Sequence, residues 1–138
     1  MTIKVVPEGW HTVTPRLLVA DAAKLVNFLK HAFEATGDFR ADGPSEIRIG
    51  DSIVMVGEAG VREAMPTFLY LYLGDADGAY RRALEAGATT LEEPADMHYG
   101  DRRATVRDPF GNIWQIATHQ EDVALEEIRK RLAAASRR

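Results

Sequence analysis

The spacing of apolar residues along this chain switches between a strand period and a helix period, and the same order of switches occurs twice. His11–Ala20 (H-T-V-T-P-R-L-L-V-A) is β-branched and apolar and predicts a strand, with Pro15 confining it to an edge or an irregular stretch. Ala22, Leu25, Val26, Leu29, Ala32 and Phe33 then recur at helical spacing behind a capping residue, Asp21, and Gly37 is the expected stop. Ser45–Ile49 and Ser52–Val56 read as strands joined by a tight turn at Gly50-Asp51. After Gly57–Pro66 the order begins again. Thr67–Leu73 sets Phe68, Tyr70 and Tyr72 on one side of a strand and Leu69, Leu71 and Leu73 on the other. Asp75 or Asp77 caps a second helix carrying Ala79, Tyr80, Ala83 and Leu84 on one face, and Gly87 ends it. Strands are expected at Thr89–Glu92, Arg103–Arg107 and Asn112–Thr118. The caps Asp21 and Asp75 stand 54 positions apart, from 21 to 75, so the chain reads as an internal repeat of β-α-β-β-β units.

The last two strands flank Asp108-Pro-Phe-Gly-Asn112. Pro109 presets φ, Gly111 accepts positive φ, and Asp108 and Asn112 tolerate turn geometry, which together predict a hairpin. Its second arm has no solvent-like face, and Gln115 is the polar residue in its middle, so the side Gln115 faces is a candidate cavity. A third helix is expected over Glu121–Ala135, acidic early and basic late as the helix dipole favours, with a narrow Val123–Ile128–Leu132 stripe. Arg137 and Arg138 are expected to fray.

Composition narrows the function classes. The 138 residues suffice for one domain with a real core, and a formal net charge of −4 gives no footprint for nucleic acid. No apolar run is long enough for a membrane span and the N-terminus lacks a signal-peptide pattern, so a cytoplasmic address is expected. The chain has no cysteine, which removes disulfides, thiolate catalysis and cysteine-ligated metals. No glycine-rich phosphate loop and no nucleophile–base pair can be picked out.

Five segments taken in order, His11–Pro15, Glu46–Ser52, Asp96–Arg102, Asp108–Asn112 with Trp114, and Thr118–Val123, resemble the vicinal oxygen chelate superfamily of glyoxalase I, bleomycin-resistance proteins and extradiol dioxygenases. The nearer resemblance is to its PhnB-like branch. It implies an α+β fold in which two β-α-β-β-β modules (about 10–57 and 67–119, linker 58–66) each curl into half a cup. A mixed β-sheet would form the cup, and the helix at 121–135 would follow. Chemistry is not settled by it, because the fold hosts several reactions and also pure binding. In metal-dependent members each module supplies ligands from its first and last strands. Carried over, those positions fall on Thr14, on Phe68 or Leu69, on Val54 or Met55, and on Gln115. Only Gln115 is a usual donor, and Ser45 stands where the branch often has histidine, so no metal and no other cofactor is expected.

The expected ligand-binding residues are Thr14, Arg16, Phe68, Tyr70, Tyr72, Arg103 and Gln115, with His98 and Tyr99 near the cleft mouth. Arg16 shares a strand face with Thr14 and offers a permanent charge with planar donors; the plainer reading is an ion pair with an acidic partner such as Glu46, or exposure at a sheet edge. Tyr70 and Tyr72 suit stacking on a flat guest, or ordinary core packing. His98 and Tyr99 lie in Glu93–Arg102, which reads as a loop. His31 reads as a solvated helix residue, His119 as a hydrogen-bonding group near the third helix, and Trp114 as packing under a helix. The sequence thus predicts a metal-free binder of a small anionic or aromatic molecule, working as a homodimer. The alternatives are a metal-dependent lyase or dioxygenase, or a metal-free enzyme in which Arg16 and a tyrosine stabilise an enolate.

Overall fold

The computed structural model describes residues 2–136, so the expected fraying at Arg137 and Arg138 lies outside the described residues. The first unit comprises β1 (Arg16–Val19), α1 (Ala22–Phe33), β2 (Ser45–Ile49) and β3 (Ser52–Glu58). The second comprises β4 (Phe68–Tyr72), α2 (Ala76–Glu85), β5 (Thr89–Asp96), β6 (Asp101–Arg107) and β7 (Ile113–His119), and α3 (Leu125–Ser136) follows. The fold is α+β with two mixed sheets, ordered β1-β3-β2 and β4-β7-β6-β5. Each unit opens with the same parallel pair: β1 lies beside β3, and β4 beside β7. The first unit falls one strand short of β-α-β-β-β, because its remaining strand is reduced to a single bridge between Thr36 and Arg48.

Both helices begin where the caps predict. Asp21 accepts from the Lys24 amide and Asp75 from the Gly78 amide, each satisfying a donor of the first turn. The end of α1 departs from expectation: Glu34, not Gly37, takes the left-handed conformation (φ 55°) that stops the helix. The apolar stripes of α1 and α2 cover one face of the two sheets. Leu17, Leu25, Leu29, Ile47, Val106, Trp114 and Ile116 are all excluded from water there. Trp114 packs 5.1 Å from the Phe33 ring.

The Asp108 carboxylate organises the central hairpin. Oδ1 accepts from the Phe110 and Asn112 amides, and Oδ2 from Asn112 Nδ2 and Trp114 Nε1. Asn112 passes the constraint on, its Oδ1 accepting from the Thr67 amide and hydroxyl at the start of β4.

Two expectations in the second unit are corrected. Glu93–Arg102 is not a loop: β5 runs through Pro94 to Asp96, and only 97–100 form the turn to β6. Pro94 is accommodated because β5 is an edge strand and shifts register twice against β6. The third helix starts at Leu125 rather than Glu121, because the carbonyl of Gly100 takes the amides of Gln120 and Glu121 and holds that stretch out of helical geometry. No residue of α3 is buried, and Leu125 and Leu132 are exposed. Gly100 has φ +104°, and a Cβ there would run into the Glu121 carbonyl oxygen. Gly100→Ala is therefore expected to detach 120–124 and α3, seen as faster amide exchange across 120–136 with β6 and β7 still protected.

Candidate functional site

Strand alternation and register decide which side chains share the face of the four-stranded sheet turned away from α2. Tyr70 lies opposite Gln115, Phe68 opposite Ile113 and Tyr72 opposite Ala117. Across β6, Thr105 lies opposite Gln115, Arg103 opposite Ala117 and Asp101 opposite His119. The other face belongs to the core, where Ala104, Val106, Trp114 and Ile116 are buried and Arg102 reaches Asp77 of α2. Phe68, Tyr70, Tyr72, Arg103 and Gln115, five of the sequence-predicted residues, therefore stand together.

A chain of hydrogen bonds runs across this face. Arg103 Nη1 donates to the Tyr99 hydroxyl at 3.0 Å, the two phenols of Tyr99 and Tyr70 lie 3.0 Å apart, and Tyr70 donates to Asp101 Oδ2 at 2.6 Å. Since Tyr70 spends its proton on Asp101 and Tyr99 accepts from Arg103, Tyr99 must donate to Tyr70. The chain has one direction. At one end Glu92 grips Arg103 Nη2 with both oxygens at 3.2 Å and also accepts from Thr105 Oγ1. At the other end His119 stands between two carboxylates, Nδ1 2.8 Å from Asp101 and Nε2 2.7 Å from Asp122.

Electrostatics follow from these partners. The hydrogen bonds to Asp101, then to Asp122, hold the His119 pKa above its ordinary value. Burial alone would push the Asp101 carboxyl up, but the donors Tyr70, His119 and Tyr72 outweigh it and set it below its ordinary value. Burial and the bond to Asp101 push the Tyr70 phenol up, and the Asp101 carboxylate does the same to Tyr72. Tyr70 and Tyr72 thus stay protonated as donors at neutral pH. Tyr70→Phe removes a donor to Asp101 and is expected to raise the Asp101 pKa, so the acid-unfolding midpoint should move to higher pH.

The aromatic part of the face is open. Phe68 is 66% and Tyr72 64% exposed, and the Tyr70 and Tyr72 rings lie 5.3 Å apart, tilted. A cleft of about 520 Å³ adjoins Tyr70 and Tyr72, bounded by Pro15, the β2–β3 turn, Val54 and residues 69–73. His98 packs edge-on against Tyr99 at 5.1 Å, but the hollow it lines is a separate one beside Arg131 of α3.

Thr14 and Arg16 are not brought into this cluster. Arg16 lies on β1 of the three-stranded sheet, opposite Met55, and is exposed. Among the described residues it forms no ion pair, so of the two plainer expectations the structure shows exposure at a sheet edge and not a pair with Glu46. The repeat offset of 54 places Arg16 where the second unit has Tyr70, and strand pairing sets Met55 opposite Arg16 as it sets Gln115 opposite Tyr70.

Asp101, Glu92 and His119 complete the network without having been picked out as site residues. Asp101 was legible by alternation, two positions before Arg103 on the same strand. Glu92 was hidden, because a register shift in β5, not simple alternation, sets it against Thr105.

The fold raises the question of a divalent ion, and the donor set does not fit one. The strand pairs at the expected place are Tyr70 with Gln115 and Arg16 with Met55. The nearby carboxylates and imidazole are committed to Arg103, Tyr70 and each other, and the Arg103 guanidinium adds positive charge. Among the described residues no three histidine, aspartate or glutamate side chains are grouped so that they could hold a metal ion.

Two units that share a parallel first-strand/last-strand pair, each with a helix packed on its sheet and the second with a polar–aromatic face opposite, define an α+β protein of paired modules. Residues 10–116 match the Glyoxalase/Bleomycin resistance protein/Dioxygenase superfamily, and the chain belongs to it. An uncharacterised protein of Mycobacterium bovis is 32% identical, with 97% of each chain covered. Among solved structures, TioX from Micromonospora sp. ML1 superposes with a TM-score of 0.68 at 24% identity, over 79% of this chain and 98% of that one. The fosfomycin resistance protein FosX from Mesorhizobium loti gives 0.61 at 18%, over 88% and 97%. These two likenesses are of fold.

Proposed function

We propose that this protein is a metal-free binder of a small organic molecule, with the tyrosine face of the second unit as its platform. The observation that carries the reading is the combination of exposed Phe68 and Tyr72 with a hydrogen-bonded polar network beneath them, in which Arg103 Nε is a buried side-chain atom left without a partner among the described residues. Exposed aromatic rings on a preorganised base suit a flat guest, because little side-chain freedom is lost on binding. Glu92 offsets Arg103, and Asp101 and Asp122 flank His119, so this face favours an aromatic guest over a bare anion. The quoted segments make a PhnB-like member our reading within the superfamily.

The test is a thermal-shift screen of aromatic compounds in the presence of a chelator. A guest at ~100 times its dissociation constant adds about 2.7 kcal/mol to apparent stability. Tyr72→Ala should weaken that guest by about fivefold or more, corresponding to roughly 1 kcal/mol of ring contact. Binding that needs added metal, or that ignores Tyr72, would count against the reading.

A second reading rests on Asp101, a buried carboxylate behind His119 Nδ1, which suits proton transfer to an enolisable guest. Deuterium uptake by small oxo compounds in heavy water, lost in His119→Ala, would favour catalysis.

We also propose a homodimer. β1, β2, β4 and β5 are sheet edges, and Leu125 and Leu132 of α3 are exposed apolar groups in need of cover. Sedimentation at micromolar concentration should give a dimer, and a monomer alone would refute it.

A further inference from the structure

A second concavity lies on the helix-covered side of the molecule, where α1, the end of α2 and the Asp108–Asn112 turn meet. It encloses about 350 Å³. Phe28, Ala86, Pro109 and Phe110 form its apolar lining, and Lys24, Asn27 and His31 its polar part. We propose that this hollow binds a small aromatic carboxylate, independently of the tyrosine face.

The turn itself supplies the first argument. Asp108 anchors it, Pro109 presets it, Gly111 (φ +90°) closes it and Asn112 ties it to β4. Phe110 gives its backbone amide to Asp108, but its side chain has no part in that geometry, and a large aromatic ring stands there where a polar side chain would turn the chain as well. Its ring is partly buried against the core and forms one wall of the hollow.

Helical periodicity supplies the second. Lys24, Asn27, Phe28 and His31 fall at i, i+3, i+4 and i+7, one face of α1. Phe28 is 3% exposed and meets Phe33 edge-on at 5.8 Å, and Phe33 in turn rests on Trp114. The floor is therefore the end of a packed aromatic row and is rigid without a guest.

Charge at the rim selects the class. Lys24 lies 3.9 Å from Asp21 across a solvent-exposed pair, with side chains 77% and 44% exposed, an arrangement that contributes little and leaves the ammonium free to turn. Glu85, the acidic group nearest His31, is already held by its Nε2 at 3.1 Å. A flat ring would lie between Phe28 and Phe110 with its carboxylate toward Lys24 and the Asn27 amide. The volume is near the lower limit of small-molecule sites, roughly 300 Å³, and so suits one or two fused rings.

The test is a titration of 2-naphthoate into isotopically labelled protein, followed by amide NMR. The amides of Asn27, Phe28, His31 and Phe110 should move together. Lys24→Glu should weaken the affinity they report tenfold or more, as should replacing 2-naphthoate by 2-naphthol, which keeps the rings and lacks the carboxylate. Phe110→Ala should abolish the response, and Lys24→Glu, at an exposed position, keeps the test valid if that variant folds poorly. Movement confined to Tyr70, Tyr72 and Gln115, or an affinity that Lys24→Glu leaves unchanged, would overturn the proposal. Either failure leaves the reading of the tyrosine face standing, because that face is on the other side of the sheet.

Discussion

Asp108→Ala is expected to destabilise the protein by about 4 kcal/mol, enough to lower the thermal midpoint by roughly 15 °C. The carboxylate is 3% exposed and receives four hydrogen bonds, among them those of Asn112 Nδ2 and Trp114 Nε1. Alanine leaves these buried donors without an acceptor. Asp108→Asn should be almost as damaging, because all four partners donate and the amide nitrogen would face two of them. Loss of the Asn112 geometry should also free Thr67 and with it the start of β4, so chemical denaturation followed by Trp114 fluorescence reads the damage at its source. A change below about 1 kcal/mol would mean the turn holds without its carboxylate.

Asp101→Ala carries the second large effect, about 3 kcal/mol, with a change in pH dependence that identifies its cause. Asp101 is 1% exposed and is the acceptor for both Tyr70 and His119. In the wild type, His119 has a folded-state pKa above its ordinary 6.5, so its contribution is complete below about that pH and is lost as pH rises through the raised value. Asp101, held below its ordinary 3.8, contributes above that pH and loses its contribution as pH falls through the lowered value. Between these limits both contribute, and stability from this pair should be greatest in mildly acidic solution. In the variant, the His119 ring resonances should titrate nearer the ordinary value, with Asp122 as the remaining partner. An unchanged His119 titration would show that Asp101 does not govern it.

The parts of this structure legible in the sequence are those written in local chemistry. Asp21 and Asp75 cap their helices as side-chain acceptors must, Gly50-Asp51 makes its hairpin, and Asp108 to Asn112 make the central turn. The placing of Phe68, Tyr70, Tyr72, Arg103 and Gln115 on one face followed from alternation once the strands were in register. What was not legible depends on partners distant in the chain. Pro94 looks like the end of a strand until an irregular edge register admits it, and that same irregularity sets Glu92 against Thr105. Residues 121–124 look helical until the Gly100 carbonyl claims the amide of Glu121. Glu34 ends α1 in a conformation that residue types rarely signal. Alternation with Thr14 and the implied fold set Arg16 in the cleft with Gln115, but neither shows which sheet carries it, and Arg16 stands exposed on the three-stranded one.

The central claim is that the tyrosine face binds its guest without a metal. It is tested most directly by amide NMR of the labelled protein with an aromatic guest from the screen, with chelator present throughout. The account predicts saturable shifts at Phe68, Tyr70, Tyr72, Arg103 and Gln115, unchanged by the chelator. Shifts that vanish with the chelator and return with zinc or manganese, or that leave these five residues unmoved, would contradict it.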